Sequence, residues 1–210
     1  MKNDLLFHPD FVCFTTRTYA VANQQTLPAA STSLSRLERR GGVTRVTKGV
    51  WANTKHPFFS TLGCVPLLLG SEQGYVSFLT ALNRQGVISQ IPATIQIATT
   101  GHPRKAKTPI GTFEFFQLHP RMMSKGIEWS SARLPYRIAT AEKALVDTLY
   151  LSTRKGKRFA ALPELDGPID KTVVLSLVKA QVPMKTIQTA VLARLGLSNE
   201  ITLFARAQSR

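Results

Sequence analysis

The chain has 210 residues, 27 Lys and Arg against 12 Asp and Glu, and a formal net charge of +15. Its length allows one large domain or two small ones. The charge excludes an acidic or neutral surface and points to a polyanionic partner: nucleic acid, an anionic membrane surface or an acidic protein.

The first pattern is FTTRTYAVANQ, residues 14–24, where Thr15 or Thr16 can cap a helix with Tyr19 and Ala20 on one side. A second helix is predicted from Leu27, with Pro28 acceptable in its first turn and Gly41-Gly42 as its stop. VTRVTKGVW follows as a short β-hairpin turning at Lys48-Gly49. Helix, turn, helix and hairpin in that order is the layout of a winged helix-turn-helix, whose second helix enters the DNA major groove while the hairpin touches the backbone.

Proline and glycine break the pattern beyond Trp51, and we read residues 54–62 as a linker between a DNA-binding domain, 1–53, and a second domain, 63–210. The second domain is predicted to open with a helix over 74–84. Strands over 94–99 and 112–118 follow, separated by a basic loop, GHPRKAKTPIG, and a third strand lies over 136–139. TAEKALVDTLYLS is a helix capped by Thr140 that buries Ala144, Leu145, Leu149 and Tyr150; RKGKRF turns the chain, and helices over 171–180 and 184–195 end it. The expected fold class is α+β: an N-terminal winged helix-turn-helix, then a mixed α/β domain with terminal helices.

On the second helix, Ala30, Leu34 and Leu37 share a narrow sector and face the first helix, while Thr32, Ser35, Arg36 and Arg39 lie opposite. Arg grips a guanine edge with two hydrogen bonds, and Ser and Thr bond bases or phosphates at shorter range. Arg40 on one flank, Arg45 and Lys48 on the hairpin, and Thr16 and Arg17 at the start of the first helix complete the candidate DNA contacts. Two further basic stretches are either solvated turns or, in one of the two, a second DNA-contacting surface: Arg104, Lys105 and Lys107, and Arg154, Lys155, Lys157 and Arg158.

Other chemistry is poorly supported. Glu142 and Asp147, with Lys143 between them, suggest a metal-dependent nuclease, but they stand about 140° apart on a helix and do not converge. The histidines, His8, His56, His102 and His119, stand before prolines and read as loop or surface residues, and no HExxH, CxxC, GxSxG or Walker-type pattern occurs. Cys13 and Cys64 sit in apolar company and read as small buried thiols rather than a disulfide. An RNA-binding role lacks stacking aromatics on the basic helix. No catalytic residue, metal or cofactor is expected. MKNDLLFHPDF does not read as a signal peptide and residues 65–69 are too short to span a bilayer, so a cytoplasmic protein without a membrane partner is expected.

Residues 14–51 resemble the N-terminal winged helix of the AbiEi family, the transcriptional-regulator antitoxins of type IV toxin-antitoxin systems. YVSFLTALNRQGVISQIPATIQIAT, GTFEFFQLHP, YRIATAEKALVDTLYL and RFAALPELD are similar to blocks of that family's second domain, in the same order. The resemblance covers roughly residues 14–167, with Ala141 where the family's helix start favours proline. It implies a bacterial autorepressor that binds repeats in its own promoter and counters a nucleotidyltransferase-like toxin without forming a stable complex. Without such a toxin, the same residues would serve an orphan regulator.

Overall fold

The computed structural model describes residues 8–155 and 162–197. The described residues are mixed α and β, with seven α-helices and two sheets. The chain enters through a 3-10 turn, Pro9–Phe11, and strand β1, Cys13–Thr15, before helices α1, Thr16–Ala22, and α2, Leu27–Arg39. Thr15, not Thr16, caps α1: its hydroxyl accepts from the Thr18 amide at 3.0 Å. Thr26 caps α2 in the same way. Beyond Arg40, Gly41 takes φ 67°, and the amides of Gly41 and Gly42 return to the carbonyls of Glu38 and Leu37. This double return closes α2 at the predicted glycine pair.

Strands β2, Thr44–Thr47, and β3, Val50–Ala52, form the predicted hairpin, with Gly49 at φ 80° in its turn. β1 joins them in an antiparallel sheet of order β1-β3-β2. Alternation along the strands divides the side chains between two layers. Phe14 and Trp51 meet Phe11, Leu34, Val43, Tyr19 and Leu37 on the helix side. Val46, Val50 and Ala52 face Cys64, Leu67, Leu68 and Ile110 on the other, so the small sheet is covered on both faces. Ala30 and Leu34 are fully buried, as their helical sector requires.

Residues 53–61 contain no helix or strand, yet Asn53 and His56 are buried. A 3-10 turn, Leu62–Cys64, leads into α3, Val65–Leu69, a five-residue helix too short for its period to show in the sequence. The larger sheet has the order β6-β7-β5-β4-β9-β8: β4 is Gly74–Val76, β5 Ile95–Thr99, β6 Arg104–Thr108, β7 Gly111–Gln117, β8 Ile127–Trp129 and β9 Arg137–Ala139. β5 with β7 and β4 with β9 run parallel; the other pairs are antiparallel.

Two expectations are corrected here. The helix predicted from 74 begins only at Phe78 (α4, Phe78–Arg84), because Gly74, Tyr75 and Val76 form a strand buried on both faces, which shows no alternation. The basic loop is instead edge strand β6, whose alternating half-buried and exposed residues place Lys105 and Lys107 outward, a common way to protect a sheet edge.

Helix α5, Ala141–Lys155, packs on α4 and strand β9, and α6, Lys171–Gln181, and α7, Lys185–Arg194, lie against α5. Thr140 accepts from the Lys143 amide at 3.3 Å, and Ala144, Leu145, Leu149 and Tyr150 are buried as predicted. Cys13 and Cys64 are free thiols that meet between the two sheets. The Cys64 contact and burial push the Cys13 thiol far above its ordinary pKa. Three histidines act locally: Nδ1 of His8, His56 and His119 accepts the amide two residues on, from Asp10, Phe58 and Arg121. His56 is buried within its loop, against the expectation of a surface histidine.

Candidate nucleic-acid interface

The outward face of α2 follows from its inward one. Burying Ala30, Leu34 and half-buried Leu37 leaves Thr32, Arg36, Arg39 and Arg40 exposed, with Ser35 half-buried at the margin. The hydroxyls on this face turn back onto the helix: Thr32 Oγ1 donates to the Pro28 carbonyl at 3.1 Å and Ser35 Oγ to the Ser31 carbonyl at 3.0 Å. Arg39 Nε lies 3.4 Å from the Ser35 carbonyl, which lays its stem along the helix and frees the end of the guanidinium.

The hairpin is fastened beside this face. Glu38 Oε1 accepts the Arg45 backbone amide at 3.1 Å, so the one acidic residue of α2 ties helix to strand. The Arg45 guanidinium lies 5.7 Å from the centre of the Trp51 ring, and the Trp51 indole donates to Thr16 Oγ1 at 2.9 Å. Thr16 is therefore half-buried and holds the hairpin to α1, while Arg17 and Lys48 are exposed. Sequence reasoning missed Lys55, whose ammonium comes within 3.6 Å of the point where a Cβ on Gly41 would stand. It adds a cation at the C-terminal end of α2, where the helix dipole favours one. It lay in a stretch without periodicity, which gave no signal.

The described members of the second basic set are held in different ways. Arg104 forms a double contact to Glu72, at 3.0 and 2.7 Å, and stacks 4.0 Å from the Phe115 ring. Burial works against ionisation of Glu72, but hydrogen bonds from Arg104 and Thr99 outweigh it and hold the carboxyl below its ordinary pKa. Arg104 thus secures a strand, leaving Lys105 and Lys107 as the exposed cations of β6. Arg154 donates to the Tyr150 hydroxyl at 3.1 Å. Lys155 is the last residue of α5, and Lys157 and Arg158 lie outside the described residues.

The carboxylates of the nuclease alternative point apart. Glu142 accepts the Asp170 amide at 3.3 Å, whereas Asp147 is fully buried. One Asp147 oxygen accepts from Lys143 Nζ at 2.5 Å, and the other from the hydroxyls of Tyr75 and Ser77, both at 2.8 Å. Burial lowers the pKa of Lys143 and raises that of Tyr75 well above its ordinary value, with Asp147 opposing the first shift and adding to the second. Gly126, at φ 71°, crosses this network so closely that a Cβ there would stand 2.8 Å from that of Lys143. A Lys and an Asp four apart inside the apolar run KALVD were the available signal for this buried pair. Among the described residues, no group of three or more His, Cys, Asp or Glu could hold a metal ion, and no helix is long and apolar enough to cross a membrane.

No family model matches the chain, and no curated protein matches it.

Proposed function

We propose that this protein is a sequence-specific double-stranded-DNA-binding transcriptional repressor, with the region through residue 53 acting as a winged helix-turn-helix. The observation that carries the reading is the outward face of α2, with Arg36, Arg39 and Arg40 exposed beside a hairpin that bears Arg45 and Lys48. The order β1-β3-β2, with two helices between β1 and β2, supports it, because that topology sets a hairpin beside the second helix. Arg39 and Arg36 would read base edges, while Arg17, Arg40, Arg45, Lys48 and Lys55 would bind phosphates.

We further propose that it acts as the antitoxin of a type IV system of the AbiEi kind, opposing a nucleotidyltransferase-like toxin. The sequence blocks after residue 74 are the support for that half of the reading. The role needs no catalytic step, metal or cofactor. Protection mapping on the DNA that precedes its own gene tests the repressor: a protected repeat is expected, lost in Arg39→Ala, and uniform occupancy would refute it. Growth of cells expressing the adjacent gene, with and without this protein, tests the antitoxin.

A further inference from the structure

The outward face of α2 changes chemistry along its length. Its rear half is cationic, with Arg36, Arg39 and Arg40. The exposed residues of its front half are Leu27, Pro28, Ala29, Ser31 and Thr32, none of them charged, and Leu27 remains 48% exposed. The single hydroxyl proton of Thr32 is already donated to the Pro28 carbonyl, so its oxygen can only accept, and the Pro28 ring, the Ala29 methyl and the Thr32 methyl supply the apolar chemistry of this half. Among the described residues nothing covers these groups, and the cations of the same helix and hairpin suit a polyanion, with Glu38 occupied by the Arg45 amide. A helix lying in the major groove presents its front turns to base edges, where the apolar feature on offer is the C5-methyl of thymine.

We infer that the front half of α2 selects thymine, with the Pro28 ring, the Ala29 methyl and the Thr32 γ-methyl packing against thymine C5-methyl groups while the rear arginines hold guanines and phosphates. This rests on the DNA-binding reading above. It differs from the expectation that Thr32 reads by hydrogen bonding, because its hydroxyl proton is donated to the helix and only acceptor capacity and the methyl remain.

The test uses the full chain and a duplex it enriches from a random-sequence pool, with each thymine replaced in turn by deoxyuridine, which lacks only that methyl. Binding is read by fluorescence anisotropy at fixed salt. Loss of one buried methyl should weaken binding about fourfold at one or two positions in each site. Thr32→Val should bind like the unaltered chain and keep that sensitivity. Thr32→Ser should lose a similar factor and become indifferent to uridine at the position it contacts. Indifference of the unaltered chain to every replacement would overturn the inference and leave sequence-specific binding standing. So would a loss in Thr32→Val with none in Thr32→Ser, which would assign the reading to the hydroxyl. Failure of any duplex to enrich would instead overturn the DNA-binding reading, and this inference with it.

Discussion

Helices α2 and α5 handle their charged residues in opposite ways. On α2, Arg36, Arg39 and Arg40 are exposed, and the helix is held by its apolar face, Ala30, Leu34 and Leu37. On α5, Lys143 and Asp147 are both fully inside, joined to Tyr75 on β4 and to Ser77 just beyond it. A solvated arginine keeps its charge for a partner at little cost to the fold, whereas a buried ion pair has given up its hydration and is satisfied only by its own network. The first arrangement is a surface that can be altered without unfolding the chain; the second fixes α5 in register on β4.

The largest effect should come from breaking the buried side of this contrast. Asp147→Ala leaves Lys143 charged without a counterion and two hydroxyls without an acceptor, and should destabilise the fold by about 3–5 kcal/mol in urea denaturation. The double variant Lys143→Met with Asp147→Leu should lose less than the sum of the single changes, since no buried charge is then left unpaired. Additive losses would mean the pair is not coupled. The same network shapes the response to pH. Below the ordinary lysine value of 10.5, the unfolded chain holds a proton that the folded Lys143 sheds, so stability should rise as pH climbs toward that value. Above the ordinary tyrosine value of 10.0, folded Tyr75 keeps a proton that the unfolded chain loses, so stability should fall again. A monotonic profile across this range would contradict the arrangement.

Altering the exposed side should change binding and spare the fold. Arg39→Ala is expected to weaken the enriched duplex by about 1–3 kcal/mol, and random DNA less, with an unchanged urea midpoint. Equal losses on both would remove Arg39 from base reading. Lys48→Ala should weaken all DNA alike and flatten the dependence of log K on log salt by about one unit. The smallest change is expected at Arg104: because its guanidinium is held by Glu72, Arg104→Ala should leave that salt slope unaltered, whereas Lys105→Ala, if β6 lies near DNA, should lower it. A lowered slope in Arg104→Ala would return that residue to the interface.

The same contrast explains what was legible in the sequence. α2 was readable because a cap, a three-to-four residue apolar period and two glycines at the end agree, and the hairpin because its turn glycine lies between β-branched residues. β1, α3 and β8 are three to five residues long, below the length at which periodicity is visible. β4 gave no strand pattern because both of its faces are covered, and β6 resembled a loop because its outward residues are lysines. The candidate interface was legible in its arginines. What the sequence does not show at Thr32 and Ser35 is the hydrogen bond to the carbonyl four residues back that takes up each hydroxyl proton. The buried pairing of Lys143 with Asp147 was not legible, since one sequence does not show which tyrosine and serine will meet them across the core.

The most direct test of the central claim is the affinity of the full chain for its enriched duplex against a shuffled duplex of the same composition, measured side by side at physiological salt. A reader of base sequence should favour the enriched duplex by at least about a thousandfold, with a preference that shrinks in Arg39→Ala. Equal affinity for the two duplexes would contradict the account, because the cations of α2 would then bind phosphate alone.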